Sequence, residues 1–306
     1  MDEFGIIEKY FAPLARSYKG SLDLKDDAAV YSPSQGKELI FTKDAMVEGV
    51  HFFGDEKPEH IAQKLVAINV SDLAAMGATP KSYLIALMLP KNTDEKWIAN
   101  FSTGLKEATD KFGGHIIGGD TVSHDGKLSF SLTAIGEIPK GKYLKKSGAN
   151  QGDKVYVSGT IGDSYLGLQI LSGKLNIDSQ YLKNRYLIPA PKVKLGSKLL
   201  DIATSCTDIS DGLVADLKHI CKASDVGAVI NVDNIPLSDD AKKSRVNIED
   251  LITGGDDYEL IFTLPAKLKA PDGSLYIGDI TKKREVLFLD SHSRPINPSK
   301  EGYSHF

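Results

Sequence analysis

The stretch NVSDLAAMG, residues 69–77, closes the element that organises the first half of the chain, a predicted helix over residues 59–76. Ile61, Leu65 and Ile68 recur at spacings of four and three, which indicates a helix with one apolar face. The glycine that ends the stretch is typical of a helix terminus, and a proline soon after it prevents continuation. Strand-like runs lie on both sides, so we expect a sheet covered by helices.

Asp72 lies inside this stretch and continues the spacing of the apolar residues. Its carboxylate is therefore expected on the buried face of the helix. A buried carboxylate is costly unless it meets a cation, a metal ion or strong hydrogen-bond donors. The sequence leaves open a metal site, a buried salt bridge and a helix-cap contact.

The rest of the chain also mixes strand-like and helix-like segments. In the first half we predict strands at 28–31, 38–42, 83–89, 115–117 and 128–136, and a second helix at 94–112. In the second half we predict strands at 154–157, 228–232, 258–264, 274–277 and 286–289, and helices at 163–172, 191–203 and 211–223. A breaker-rich polar segment at 139–152 separates the halves. The pattern predicts an α/β (α+β) protein with two domains, 1–139 and 140–306.

Composition excludes several classes of function. The chain of 306 residues has a formal net charge of -4, so nothing draws it towards nucleic acid or an anionic membrane. No apolar run approaches the ~20 residues of a membrane span, and Met1-Asp2-Glu3-Phe4 has no signal-peptide character. Cys206 and Cys221 have no neighbours at zinc-ligand spacing. We therefore expect a cytoplasmic protein that binds neither nucleic acid nor membrane.

Further aspartates occur in turn-like or Gly/Ser/Thr-rich contexts: Asp26-Asp27, Asp44, Asp120 in GGDT, and Asp208 and Asp211 in DISDG. Hard cations such as Mg²⁺ are held by carboxylate oxygens and in turn hold polyphosphates. Each group alone has an ordinary alternative: a solvated turn for the first, a turn at a strand end for GGDT, and a helix N-cap by Ser210 or Asp211 for DISDG. Together they favour one multi-metal nucleotide site.

In their order these segments resemble the thiamine-monophosphate kinase family, which belongs to the superfamily of aminoimidazole ribonucleotide synthetase and selenophosphate synthetase. The resemblance covers essentially the whole chain. It runs through DDAA at 26–29, TKD at 42–44, HF at 51–52, NVSDLAAMGA at 69–78, GGDT at 118–121, SGTIGDS at 158–164, DISDGL at 208–213, GGDDYEL at 254–260 and the terminal GYSHF at 302–306.

The resemblance implies transfer of the ATP γ-phosphoryl group to thiamine monophosphate, with several Mg²⁺ ions and ATP as co-substrate. It implies Mg²⁺ ligands at Asp27, Thr42, Lys43 (through a main-chain oxygen), Asp44, Asp72, Asp120, Asp208 and Asp211. It implies ATP contacts at Gly119, Asp120, Lys146 and Ser210, and substrate contacts at His51, Asp256 and Lys300. It also implies a homodimer in which N-terminal strands form a shared barrel, so 1–139 would bind ATP and Mg²⁺ and dimerise while 140–306 completes the active site.

No proton carrier is expected among these residues, because the acceptor is a phosphate monoester that is largely dianionic at neutral pH. Four positions depart from the family pattern: Lys43 replaces a hydroxyl residue, Lys146 an arginine, Asp256 a glutamate and Lys300 an aromatic residue. Within enzymes the alternative is another ATP-dependent reaction of the superfamily; Lys43 and Lys300 also suggest a Mg-nucleotide-binding regulatory homologue with impaired catalysis.

Overall fold

The structure is a computed structural model that describes residues 3–304. Two compact units make up the chain. The first contains the residues up to Leu73 together with Ala78–Gly141, and the second contains Ala74–Gly77 and the chain from Lys142 onward. The ends of the chain, including His305 and Phe306 of the terminal motif, lie outside the described residues.

The first unit begins with short helical turns and continues with a mixture of strands and long helices. The turns are the α-helix α1 (Glu3–Ile6), a π-helix (Ile7–Phe11), the α-helix α2 (Ala12–Ala15) and a 3₁₀ segment (Lys19–Leu24). The larger elements are β1 (Lys37–Val47), α3 (Pro58–Ala75), β2 (Thr79–Pro90), α4 (Glu95–Phe112), β3 (His115–His124) and β4 (Ser129–Pro139).

The four strands of the first unit form one mixed sheet in the order β1-β4-β2-β3. Strand β4 is antiparallel to both of its neighbours, whereas β2 and β3 are parallel and are connected through α4. A parallel pair requires such a crossover, because a short turn cannot return the chain to the same end of the sheet. The predicted mixed sheet with helices is confirmed.

Helices α3 and α4 cover one face of this sheet, and the opposite face is exposed in part. The ring of Phe101 in α4 stacks on Phe130 in β4 with centroids 5.0 Å apart. Strand residues alternate between the two faces, so Phe41, Leu84 and Val122 emerge on the side away from the helices, with exposures of 62%, 37% and 43%. We call these three residues the exposed sheet face.

The second unit contains seven strands and six α-helices among the described residues. The elements are β5 (Lys154–Val157), α5 (Asp163–Leu171), α6 (Gln180–Leu187), α7 (Val193–Leu199), β6 (Ser205–Asp208), α8 (Leu213–Ser224), β7 (Gly227–Asn231), a 3₁₀ turn (Val232–Asn234), α9 (Asp239–Ser244), α10 (Ile248–Thr253), β8 (Leu260–Leu264), β9 (Leu275–Thr281), β10 (Val286–Leu289) and β11 (Pro295–Ile296).

The strands of the second unit form one sheet in the order β11-β10-β7-β9-β5-β8-β6. Both faces of this sheet are covered. In β8, Ile261 packs into one core with α8, while Leu260 and Phe262 pack into another core with α7. A strand that is buried on both faces reads as a continuous apolar run, which explains why the sequence pattern identified β8.

Several sequence predictions about individual elements are wrong. Residues 28–31 form no strand, because Val30 bonds to Gly20 through its backbone instead of joining a ladder. Strand β3 does not end at residue 117 but continues through the GGDT motif to His124. The helix expected at 191–203 is limited to Val193–Leu199. The pattern missed helices α6, α9 and α10 and strand β6.

Candidate functional site

Three of the implied metal ligands lie between strand β1 and helix α3. The hydroxyl of Thr42 donates to the carboxylate of Asp72 at 2.5 Å, and Asn69 holds the backbone N–H of Asp44 at 3.0 Å. Burial raises the pKa of Asp44 to about 6, and the negative charge of Asp72 adds to the shift. Two carboxylates that repel one another in a partly buried place, together with a hydroxyl, form an all-oxygen donor set that suits a hard divalent cation.

A second group of implied ligands lines a cavity of about 540 Å³ in the first unit. Its acidic members are Asp26, Asp27 and Asp120. Its walls are largely apolar, formed by residues such as Leu84, Ile116 and Ile117. A concave, mostly apolar pocket with a few polar groups at one side is typical of small-molecule sites, which range from about 300 to 1,000 Å³.

The glycines of GGDT have a structural reason of their own. A Cβ at Gly119 would lie only 2.0 Å from the carbonyl oxygen of Ile85 on the neighbouring strand. Close approach of two backbones therefore explains this glycine, and a left-handed conformation does not, because Gly119 has no positive φ. The ladder then carries Asp120, which pairs with Ala86, into the cavity wall.

His51 and Lys43 are also in the first unit. The Nδ1 atom of His51 accepts a hydrogen bond of 3.0 Å from the Val47 N–H, which fixes the orientation of the ring. Lys43 is exposed on β1 opposite Thr133. Its side chain is therefore on the sheet face opposite to that of Thr42 and Asp44.

In the second unit the DISDG motif joins strand β6 to helix α8. Asp208 is the last residue of β6 and is buried, and Asp211 is half-buried in the connection. The alternative interpretation of Ser210 or Asp211 as an N-cap is wrong, since Gly212 occupies the cap position without a side-chain cap bond. Instead the carboxylate of Asp216 accepts the backbone N–H groups of Ser210 and Asp211 at 3.0 and 3.1 Å.

Asp216 was not identified from the sequence, although an acidic residue in the first turn of a helix is a recognisable signal. Burial raises its pKa to about 7, Asp211 adds to the shift, and the bond from the Asp211 N–H opposes it. Among the described residues, one group of three His, Cys, Asp or Glu side chains has all its potential metal-ligand atoms within 4.8 Å of one another. It consists of Asp211, Asp216 and His219. Lys146 is close enough to lower the pKa of Asp216 by its charge.

The GGDDYEL motif lies directly against DISDG. The N–H of Asp256 donates to the carbonyl oxygen of Ser210 at 2.8 Å, and the N–H of Tyr258 donates to that of Ile209 at 2.8 Å. Gly255 permits this approach, because a Cβ there would lie 2.4 Å from the Ser210 oxygen. The structure thus brings Asp208, Ser210, Asp211, Asp256 and Lys146 into one region of the second unit.

The C-terminal segment runs past the same region. The N–H of Tyr303 donates to the carbonyl oxygen of Asp211 at 3.0 Å, and Glu301 forms an ion pair of 2.7 Å with Lys218. Lys300 is exposed just before this ion pair. The sequence resemblance included this segment, but only the structure shows that it contacts the DISDG motif.

Two family models match the chain: the AIR synthase related protein N-terminal domain matches residues 25–138, and the AIR synthase related protein C-terminal domain matches residues 150–270. The chain is 39% identical over 322 residues to thiamine-monophosphate kinase of Escherichia coli (strain K12), covering 99% of this chain and 98% of that protein. It is 35% identical over 327 residues to thiamine-monophosphate kinase of Bacillus subtilis (strain 168), covering both chains completely.

A solved structure, AaThiL complexed with AMPPCP and TMP, has the same fold. Its TM-score to this chain is 0.82 with 31% sequence identity, covering 99% of this chain and 97% of that one. Separately from these comparisons, no helix among residues 3–304 combines the length and the apolarity needed to cross a bilayer.

Proposed function

Because the chain belongs to the thiamine-monophosphate kinase family, we propose that it transfers the γ-phosphoryl group of ATP directly to thiamine monophosphate, giving thiamine diphosphate and ADP. The chain is an enzyme, a phosphotransferase whose acceptor is a phosphate group. The observation that carries the assignment is the 39% identity to the E. coli kinase over 99% of the chain. AaThiL, of the same fold, was solved with AMPPCP, an analogue of ATP, and with TMP.

The residues fit a reaction in which phosphates are held in place and no base is required. A phosphate monoester has a second pKa near 6, so the acceptor is already nucleophilic at neutral pH. The obstacle is repulsion between two polyanions: one pair of unit charges 4 Å apart costs roughly 4 kcal/mol at an effective dielectric of 20. Bound Mg²⁺ would neutralise this charge and keep the attacking and leaving oxygens in line.

The oxygen donors that would hold Mg²⁺ form separate sets. In the first unit, Thr42, Asp44 and Asp72 are one set and Asp27 and Asp120 are another. In the second unit, Asp208 and Asp211 are the corresponding residues. Lys43 would contribute only a main-chain oxygen. Burial raises the pKa of Asp44 to about 6 and the negative charge of Asp72 adds to the shift, which supports this assignment, since a divalent cation would relieve the repulsion.

ATP would contact Gly119, Asp120, Lys146 and Ser210. The cavity of about 540 Å³ beside Gly119 supports this proposal, because its apolar walls suit the faces of an aromatic base while Asp120 marks a polar side. Lys146 keeps the positive charge of the usual arginine but lacks its planar fork of donors. A single contact to a phosphate oxygen is therefore the role that we assign to it.

Thiamine monophosphate would contact His51, Asp256 and Lys300. His51 has a ring orientation fixed by the Val47 N–H, and Asp256 accepts the Tyr258 hydroxyl at 3.0 Å. Both side chains are thus held in defined positions before substrate binds. Lys300 can contact a phosphate or a ring edge, but it cannot supply the flat surface of an aromatic residue.

We also propose that the enzyme is a cytoplasmic homodimer. The exposed sheet face, Phe41, Leu84 and Val122, supports dimerisation, because large apolar side chains exposed on one face of a sheet are typical of interaction sites. A second copy of the same face would bury these side chains in a shared barrel. The free, buried thiols of Cys206 and Cys221 suit a reducing compartment.

The test is incubation of the purified protein with ATP, Mg²⁺ and thiamine monophosphate, followed by chromatographic identification of the products. ADP and thiamine diphosphate in equal amounts are expected. Formation of AMP would indicate a different reaction of the superfamily. Tight ATP binding without turnover would indicate a regulatory homologue. Lys300, which stands where the family has an aromatic residue, is the reason for testing this outcome.

A further inference from the structure

A buried group of ionisable side chains in the second unit contains more acids than bases. We call it the Arg185 cluster; it consists of Arg185, Asp163, Asp257, Glu259 and Lys192. The side chains of Asp163, Glu259 and Arg185 have exposures of only 0%, 2% and 12%. None of these residues is a nucleotide, metal or substrate contact in the site described above.

Arg185 is the central member of this cluster. Its guanidinium donates to the carboxylate of Glu259 at 2.9 Å and to the main-chain oxygen of Asp257 at 3.3 Å, and its Nε lies 3.9 Å from Asp163. Lys192 approaches Glu259 at 3.1 Å from a more exposed position. Both hydrogen bonds come from one terminal nitrogen, Nη2, which therefore joins the side chain of Glu259 to the main chain of Asp257.

Two members of the Arg185 cluster, Asp257 and Glu259, belong to the GGDDYEL segment and fix it through hydrogen bonds. Asp257 accepts the N–H groups of Gly162 and Ser164 at the start of α5, at 2.8 and 3.3 Å. Glu259 also accepts the hydroxyl of Ser158 at 2.5 Å. Both acidic side chains are thus tied to fixed elements of the unit.

The residues that precede these two acids, Asp256 and Tyr258, have backbone conformations that non-glycine residues seldom adopt. Their φ angles are +68° and +51°, in the left-handed region. Such conformations persist only where the surroundings impose them. Here the bonds to Asp257 and Glu259 act together with the bonds from the Asp256 and Tyr258 N–H groups to DISDG, and the Tyr258 hydroxyl donates to Asp256 at 3.0 Å.

We propose that Arg185 is a positioning residue for substrate recognition, which holds the segment 257–259 so that Asp256 presents its carboxylate to thiamine monophosphate. The inference rests on the proposed function, because it takes Asp256 as a substrate contact. The nucleotide side has a further anchor besides its bonds to Asp256 and Tyr258, since Asp216 holds the N–H groups of Ser210 and Asp211. Loosening Arg185 therefore affects the acceptor substrate more than ATP.

The test is a double-mutant cycle with Arg185→Lys and Asp256→Ala, measured as KM for each substrate and kcat. Lysine retains the charge but replaces the rigid, planar guanidinium by a point charge on a flexible stem, so R185K is expected to raise the KM for thiamine monophosphate about tenfold and to change the KM for ATP less than about twofold. In the D256A background the same change is expected to have almost no further effect, because the positioned group is gone.

Two further variants make the cycle specific. Arg294→Lys is the matched control, since Arg294 forms an exposed ion pair with Asp290 at 2.6 Å. It is expected to leave both KM values unchanged. Glu259→Gln is the second test if R185K does not fold: it removes the carboxylate partner of Arg185 while reducing the buried charge, and it is expected to raise the same KM.

If the wild-type protein is active and neither R185K nor E259Q changes the KM for thiamine monophosphate, the inference is overturned and the proposed function is not. Equal effects of R185K in the presence and absence of Asp256 would also overturn the inference, because they would show a general structural role. Wild-type protein that forms no thiamine diphosphate would overturn the proposed function, and the inference with it.

Discussion

Removal of one hydroxyl group, in Tyr31→Phe, is expected to loosen the segment that carries Asp26 and Asp27. Tyr31 donates to the carboxylate of Glu137 on β4 at 2.6 Å, and the Ser34 N–H donates to the same carboxylate at 2.9 Å. Glu137 is only 5% exposed. Burial by itself would raise its pKa, but the bonds from Tyr31 and Ser34 hold that pKa below its ordinary value.

The magnitude follows from the kind of bond. A hydrogen bond to a charged group contributes about 1.5–3 kcal/mol, and its loss leaves a buried carboxylate with one donor fewer. We therefore expect Y31F to lower the free energy of unfolding by about 2 kcal/mol near neutral pH. The pKa of Glu137 is lowered by folding, so its bonds stabilise the protein above the pKa of the unfolded chain. The difference between Y31F and wild type should shrink as the pH falls below about 4.

The assay is urea unfolding followed by circular dichroism, together with activity as a function of Mg²⁺ concentration. Tyr10→Phe is the matched control, because Tyr10 donates to Glu95 at the same 2.6 Å in an exposed position. The control is expected to cost less than about 0.5 kcal/mol. Y31F should also raise the Mg²⁺ concentration for half-maximal activity, since Asp27 shares its segment. Equal stability losses in Y31F and Y10F would refute the reasoning.

Four other changes test separate parts of the structure. Asp72→Asn should raise the Mg²⁺ requirement at least about tenfold without altering the shape of the pH–rate profile; loss of a basic limb at unchanged Mg²⁺ affinity would instead identify Asp72 as a base. Gly255→Ala sets a Cβ 2.4 Å from the Ser210 oxygen, so we expect a loss of about 1–3 kcal/mol in urea unfolding; full stability would contradict the close approach. Burial raises the pKa of Asp257 from 3.8 to about 8, so between these pH values the folded chain keeps a proton that the unfolded chain releases. The free energy of unfolding of the wild type should therefore fall with rising pH by up to about 1.4 kcal/mol per pH unit. Asp257→Asn should remove this slope; equal slopes in the variant and the wild type would disprove the reasoning. Phe41→Asp should convert the proposed dimer to monomer in sedimentation velocity; a wild-type dimer that the substitution leaves unchanged would exclude the exposed sheet face as the interface.

Local periodicity made much of the fold predictable. Helix α3 was expected at 59–76 and is observed at Pro58–Ala75, because its apolar residues recur with the helical period. Strand β8 was recognised because both of its faces are buried. The short helices α9 and α10 were not predictable, because six residues give too few turns for a period to appear.

The predicted site was likewise recognisable only where its residues occur as short motifs. DISDG and GGDDYEL were each noticed in the sequence, but nothing local showed that Asp256 bonds to Ser210. Asp216 and Glu137 were missed because each acts on a backbone or hydroxyl group of another segment. In the case of Tyr31 and Glu137 the partners are 106 residues apart.

The amino-acid sequence alone determined the family resemblance, the mixed α/β class and the acidic motifs, because these depend on residue type and on spacing within a few turns. The tertiary structure alone decided which carboxylates are fixed by hydrogen bonds and ion pairs, which groups are their partners, and how each carboxylate is oriented. Arg185 is the clearest case: it lies in a polar helix without any motif, and its role arises only where folding brings it against Asp163, Asp257 and Glu259. Once these ionisable groups are buried, each one needs the others as partners, because an unpaired buried charge is costly; burial itself exists only in the folded chain.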